Sequence, residues 1–239
     1  MLSGEVATAI AGITGGSEDS ELVKSLIEGT AVNLAFGAEI TDVKYQLFVN
    51  VTTLKTFDFT YIKTIKTEAF KGCTGLTDIY LPSVSNPNGQ GARAFQNCTS
   101  LKSVIMPNFM YWYSSAPGWF AGCSALTDVN MPKLQGVTSS LFQGCTSLTK
   151  LDFPLVNSIG SSGFASCTQL KILILRNNLT ATLSNINAFT GTPFAVGGTG
   201  GTVYVPQALI SQYQQATNWS TLYAAGTCNF VAIEGSEYE

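Results

Sequence analysis

A motif headed by phenylalanine recurs along most of the chain and limits how the chain can fold. Counted from each Phe, apolar residues or Cys stand at positions +3, +6, +9 and +11, and a Pro usually follows, as in FKGCTGLTDIYLP. Clear copies begin at Phe48, Phe70, Phe95, Phe120, Phe142 and Phe164, and Phe189 is a candidate start of a seventh. Five copies carry Cys, at successive intervals of 25, 25, 22 and 22 residues. Such regular spacing leaves little room for coincidence.

The repeat predicts a solenoid of about six to seven coils. Apolar residues at +9 and +11 predict a short strand in each coil, paired in parallel with the strands of neighbouring coils. Two further apolar residues follow the Pro position at +2 and +5, for example Leu134 and Val137, and they predict a second wall closing on the same core. A single coil cannot bury its apolar side alone, whereas stacked coils cover one another.

The consensus A-F-x-x-C-x-x-L-x-x-I-x-L-P resembles the leucine-rich repeat of BspA-like bacterial surface proteins over about residues 45 to 176. The resemblance implies an α/β leucine-rich-repeat solenoid and a role in adhesion and in binding host molecules at bacterial surfaces. Related arrays also occur in tail proteins of phages and prophages. Residues 201–224 resemble the closing element of such arrays, in which a last strand with Pro precedes a helix.

The ends of a solenoid would be open sheet edges, so we expect both ends to be capped. Residues 1–44 form the predicted N-terminal helical cap, with a helix in SEDSELVKSLIEG at residues 17–29. Residues 45–200 form the predicted array. Residues 201–239 form the predicted C-terminal cap, with a helix after Pro206 and a final strand in TCNFVAIE.

The five Cys of the repeat have two interpretations. They could form a metal or disulfide framework, or they could be a column of small buried side chains, one per coil. No C-x-x-C pair is present, five equivalent positions cannot pair off, and Val51 fills the same slot in the first coil. The pattern therefore favours buried free thiols, which is the usual state of a Cys in a protein core.

Composition excludes several classes of function. The chain contains no His, which removes the usual general base and the commonest metal ligand. The net charge is −3 without a basic run, which argues against nucleic-acid binding. No apolar stretch approaches the roughly 18 residues that a bilayer span requires. We therefore expect no enzymatic activity, no cofactor, no metal, no nucleic-acid partner and no membrane insertion.

Candidate binding residues come first from the outward positions of the predicted strands. Position +10 alternates with the buried +9 and +11, so its side chains should form one row across the coils. The members of this row that we single out are Tyr80, Ile105, Asn130 and Asp152. The row mixes polar and apolar groups, as a surface that binds protein or glycan does. A merely solvated sheet face is the alternative.

The aromatic run NFMYWYSSAPGWF and the segment SVSNPNGQGARA supply further candidates, because they hold the extra residues of the two 25-residue coils. Neighbouring insertions should bulge from the same edge of the solenoid and form one patch. Phe109, Trp112 and Phe120 match core positions of the repeat. Tyr111, Tyr113, Trp119 and Arg93 remain as ligand-binding candidates, with Trp119 expected at least partly at the surface.

The sequence thus predicts a non-catalytic binding module for a host or bacterial surface protein or glycan. A phage or prophage tail component and a structural spacer without its own ligand are the alternatives. Location outside the cell, on a cell surface or on a virion tail follows from the resemblance, although the N-terminal residues lack a signal peptide. A homo-oligomer or attachment to a larger assembly fits a weak single binding face.

Overall fold

The computed structural model of the chain describes residues 32–34, 38, 41–85, 91–110 and 117–239. Over these residues the chain winds into a parallel-strand solenoid of about seven turns, which confirms the predicted stack of coils with parallel strands. The first wall contains the strands β1 (Val32–Leu34), β3 (Leu54–Phe57), β5 (Asp78–Tyr80), β6 (Ser103–Ile105), β7 (Asp128–Asn130), β9 (Lys150–Phe153), β11 (Ile172–Leu175), β13 (Gly201–Val205) and β14 (Cys228–Ala232). They pair as three sheets, β1–β3, β5–β6–β7 and β9–β11–β13–β14.

The predicted second wall is also present. It contains the two-residue strands β2 (Asp42–Val43), β4 (Thr64–Ile65), β8 (Gly136–Val137), β10 (Ser158–Ile159) and β12 (Thr182–Leu183). They pair as β2–β4 and β8–β10–β12. In the two 25-residue coils between these sheets, the described residues form no second-wall strand. The apolar pairs after the Pro position, such as Leu134 with Val137, are buried as expected.

A column of phenylalanine rings runs along the solenoid on the side where each motif begins. Successive rings from Phe48 to Phe189 stack with centroid distances of 5.1 to 6.1 Å and interplanar angles of 2° to 24°. The backbone N–H of each Phe donates to a carbonyl of the next coil, as from Phe95 to Trp119 at 2.9 Å. Each motif start is therefore joined to its neighbour by ring packing and by a backbone hydrogen bond.

The turn after each Phe explains the Gly, Asn or Ser that precedes Cys in the motif. The residue two positions after Phe has a φ between 59° and 76° in every coil, a left-handed conformation that Gly adopts without strain and Asn tolerates. These residues are Asn50, Gly72, Asn97, Gly122, Gly144, Ser166 and Gly191. The tight turn brings the Cys at +3 back into the core beneath the Phe.

The five Cys of the repeat form a ladder of buried free thiols, in agreement with the simpler interpretation. Each Sγ donates to the backbone carbonyl of the Phe in the preceding coil at 2.9 to 3.2 Å, as Cys123 does to Phe95. The slot therefore holds a small side chain that can satisfy a buried carbonyl. Burial raises the pKa of the Cys98 and Cys167 thiols to about 12.

The C-terminal end is capped by two short helices, α1 (Ile210–Gln215) and α2 (Trp219–Ala224). Their side chains complete the hydrogen bonds at the edge of the second wall. Trp219 Nε1 donates to the carbonyl of Ala181 at 2.8 Å, and the Ala181 N–H donates to Tyr213 Oη at 2.9 Å. The Trp219 ring also closes the phenylalanine column, 5.7 Å from Phe189.

The C-terminal cap differs from the sequence prediction in one respect. A single helix was expected after Pro206, but the helix is interrupted at Asn218, which has a φ of 68°. This conformation directs the Asn218 amide to the carbonyl of Leu183, to which it donates at 2.7 Å. The final strand is present as β14. The predicted N-terminal helix at residues 17–29 lies outside the described residues, and within the described ranges no helix could cross a bilayer.

The thiol ladder predicts low reactivity in the folded chain. Thiolates, not thiols, attack disulfide reagents, and these thiols are both buried and held in the protonated form. We expect a coloured aromatic disulfide reagent at pH 8 to label none of the six Cys in the folded protein and all six after denaturation. Thr99→Cys, at an exposed position, is the positive control. Rapid labelling of the native wild-type chain would contradict the structure.

Candidate functional site

The strands β5, β6 and β7 present the predicted row of outward side chains. Their register pairs Tyr80 with Ile105 and Ile105 with Asn130. A second outward row, formed by Asp78, Ser103 and Asp128, runs beside the first in the same register. The inward residues between the rows pack into the core, so both rows face away from it. We refer to these six outward residues as the open face.

The open face combines an exposed aromatic ring with polar groups. Tyr80 is 54% exposed, Asn130, Asp78 and Asp128 are exposed, and Ile105 is half-buried. Ser103 Oγ donates to Asp128 Oδ2 at 3.3 Å, a weak contact that leaves the carboxylate available. A ring that can stack and carboxylate and amide groups that can form hydrogen bonds can together bind a polar ligand.

Asp152 is on the same predicted row but already forms an ion pair within the chain. Arg176 forms a two-pronged ion pair with it, Nε to Oδ1 at 2.9 Å and Nη2 to Oδ2 at 2.8 Å. The hydrogen bond to Asp152 raises the pKa of Arg176. Arg176 stands where the other motifs carry Pro, so this pair joins β9 to the end of β11. Asp152 also belongs to a different sheet from the open face.

Arg93 lies apart from the open face as well. It occupies the turn before Phe95, and its Nε forms an ion pair with Glu68 Oε1 at 2.9 Å. Glu68 also pairs with Lys71 and accepts a hydrogen bond from Gln46. The arrangement joins three neighbouring turns, which is a structural role. Tyr111 and Tyr113 lie outside the described residues, so their place relative to Arg93 stays a prediction.

The expectation for Trp119 is wrong: its side chain is fully buried. The indole ring packs 5.2 Å from the Phe109 ring and 6.1 Å from the Phe95 ring, measured between centroids. Gly91 in the preceding coil supplies the space, because a Cβ there would lie 2.7 Å from the indole. The corresponding motif positions hold small residues or Leu, and comparing them could not show that the neighbouring coil has room. Trp119 is therefore a core residue and not a ligand-binding candidate.

The outward face is covered further along the solenoid. Ile174 on β11 also stands at position +10, but it is fully buried while remaining outside the main core. Tyr238, near the end of the chain, lies over this region, with its ring 4.7 Å from that of Tyr204. The residues EGSEYE show no strand or helix periodicity, so no sequence pattern indicates this contact. Within the described ranges, no three Asp, Glu or Cys residues cluster as a metal site would require.

Comparison with known families agrees with this geometry. The profile of the BspA type leucine-rich repeat region matches residues 30–116 and 114–194, with six copies. The chain belongs to the BspA-type leucine-rich repeat family. Members of the family are repeat modules that are generally non-catalytic. Among curated protein sequences, none matches this chain.

Three solved structures of leucine-rich proteins match parts of the chain. A leucine-rich repeat protein from Bacteroides ovatus shares 22% identity and covers 82% of this chain, with a TM-score of 0.53. The leucine-rich repeat protein of T. pallidum shares 24% identity over 56% of the chain, with a TM-score of 0.48. A leucine-rich cell surface protein from Faecalibacterium prausnitzii shares 17% over 87%, with a TM-score of 0.41. The matches span between 52% and 62% of the lengths of these proteins.

Stability measurements can distinguish the buried candidate Trp119 from the exposed candidate Tyr80. Trp119→Ala should lower the free energy of unfolding by about 3–5 kcal/mol, because it leaves a cavity between packed rings. Tyr80→Ala should change it by less than about 0.5 kcal/mol, because the side chain is largely exposed. Urea unfolding followed by circular dichroism measures both. A Trp119→Ala chain as stable as the wild type would show that the indole is not a core residue.

Proposed function

We propose that this chain is a non-catalytic binding module that contacts a host or bacterial surface protein or glycan at a bacterial cell surface through the open face. The observation that carries the proposal is the contrast along one sheet wall. The outward side chains of β5, β6 and β7 are left uncovered, with Tyr80 54% exposed, whereas Ile174 on β11 is fully buried.

The chemistry of the open face suits a polar ligand with some apolar surface. Neighbouring strands are about 4.8 Å apart, so Tyr80 and Asn130 stand about 10 Å apart, with Ile105 between them. An aromatic ring can stack on an apolar face of a ligand while carboxylates and amides bind its hydroxyl or amide groups. Both a glycan and a polar protein segment offer this combination.

The area of the open face sets the affinity that we expect. Three strands of about 10 Å length and 4.8 Å spacing cover roughly 150 Å². A standard interface buries about 800 Å² on each partner. One copy should therefore bind weakly, and firm attachment needs several copies acting together or additional contacts. Tyr111 and Tyr113 are our proposed additional contacts, because their coil directly follows the one that contains Tyr80.

Placement at a cell surface is part of the proposal. The family match supports it, since the chain has the repeat of proteins that are typically found on bacterial surfaces. The structural neighbour from Faecalibacterium prausnitzii is itself described as a cell surface protein. Attachment of several copies to one surface would supply the multivalency that a small face needs.

A multivalent probe tests the proposal. The chain, biotinylated and joined to streptavidin as a tetramer, is applied to a glycan array and to immobilised surface proteins. We expect a specific ligand, and Tyr80→Ala should weaken its binding at least tenfold, because the ring is the largest exposed group of the open face.

Tyr61→Ala is the matched control, because Tyr61 is 47% exposed and lies outside the open face. It should leave binding unchanged. If Tyr80→Ala and Tyr61→Ala both leave the binding of a ligand unchanged, that ligand contacts another part of the solenoid. The absence of any ligand in both screens would favour a structural spacer.

A further inference from the structure

The last seven described residues, 233–239, fold back against the first wall after β14. The Ile233 N–H donates to the carbonyl of Val205 at 3.0 Å, and Glu234 Oε2 accepts from the N–H of Gln207 at 2.9 Å. The Ser236 N–H then donates to the carbonyl of Ile233 at 3.0 Å and forms a turn. We refer to residues 233–239 as the return segment.

Tyr238 in the return segment lies over the outward side of β11. Its ring stands 4.7 Å from the Tyr204 ring at an interplanar angle of 72°, a favourable edge-to-face contact. The Lys150 Nζ stands 5.2 Å from the centroid of the same ring, within the range of a cation–π contact. Tyr204 belongs to β13 and Lys150 to β9, and β11 lies between these two strands. The ring therefore bridges the strands on either side of β11.

The covered surface is apolar, unlike the open face. Ile174 pairs in register with Tyr204, and Ile172 pairs with Lys150. Ile174 has no exposed surface although it lies outside the main core, and Ile172 is half-buried. Ile233 is also buried outside that core. Two isoleucines and a tyrosine on one outward face would be unusual on a bare sheet surface, and here they have a cover.

The charges of the two surfaces are complementary. The return segment carries three carboxylates and no cation, at Glu234, Glu237 and Glu239. The strands beneath it carry Lys150 on their outward side and Lys171 just before β11, whereas Arg176 after β11 is already paired with Asp152. Opposite charges on facing surfaces set the orientation of a bound segment and select against basic partners.

We propose that the outward face of β9, β11 and β13 is a docking surface for a short acidic peptide segment that carries a tyrosine. The chain's own return segment fills this surface, and a segment of the same chemistry from a partner protein displaces it. The partner is recognised by its tyrosine ring over β11 and by its carboxylates near Lys150 and Lys171. This surface is separate from the open face and does not depend on the proposed function.

A partner segment can displace the return segment because few contacts hold the return segment in place. One ring, a few hydrogen bonds and the buried side chain of Ile233 fix it, while its three Glu residues remain exposed. A segment tethered in the same chain acts at an effective concentration on the order of millimolar. A free peptide therefore competes poorly with the return segment until the contacts of that segment are weakened. Removing the tyrosine from the return segment should therefore open the surface to an external peptide.

A peptide-binding titration tests this. A fluorescein-labelled peptide with the sequence of residues 233–239 is titrated with the full chain, and anisotropy is recorded. We expect Tyr238→Ala to bind the peptide at least tenfold more tightly than the wild type. The matched control is Tyr223→Ala, which removes another partly exposed tyrosine and should behave like the wild type. Adding Lys150→Ala to the Tyr238→Ala chain should weaken peptide binding again, as should Ala in place of Tyr in the peptide.

A second full-length variant allows the proposal to be tested even if Tyr238→Ala does not fold. Glu237→Lys with Glu239→Lys reverses charge in the return segment at exposed positions and should also raise peptide affinity. Far-UV circular dichroism and thermal unfolding identify which variants keep the wild-type fold. If the folded variants bind the peptide no more tightly than Tyr223→Ala does, the return segment is a fixed part of the cap and the proposal is overturned.

Discussion

The structure depends on the column that runs beneath the start of every motif. At the five steps from Phe48 to Phe164, three contacts join one coil to the next: stacked Phe rings, a backbone N–H from Phe to the following coil, and a Cys thiol to the carbonyl of the preceding Phe. Each contact needs one residue type at one position. The column thereby fixes how far apart successive coils lie and how each is rotated, and the strands on the other wall inherit that alignment.

The alignment of the strands has two functional consequences. On β5 to β7 it places Tyr80, Ile105 and Asn130 side by side on an uncovered surface. On β9 to β13 it places Ile174 beside Tyr204 and Ile172 beside Lys150, and the return segment covers this surface. The same wall thus has an uncovered region, through which we propose that a ligand binds, and a region that holds the chain's own return segment.

The sequence determines the fold better than the site because the fold follows from a pattern repeated many times. The Phe, Cys and Leu positions and the first-wall strands follow one rule per coil. The differences arise where a residue departs from the repeat. Trp119 fits into the core because Gly91 in another coil makes room, and the ring of Tyr238, 64 residues beyond Ile174 in the sequence, contacts Tyr204 and Lys150 on the two strands that flank Ile174. Arg176, in the place of a Pro, captures Asp152. These contacts join positions that no local period connects.

Native-state hydrogen exchange tests the role of the column most directly. The account predicts that the amide protons of Phe70, Phe95, Phe120 and Phe142 exchange most slowly and with a common free energy of opening, because they open only when the stack separates. The amides of the return segment should exchange through local opening at a much lower free energy. Phe amides that exchange faster than those of the strands β5 to β7 would show that the strand wall, and not the column, holds the coils in place.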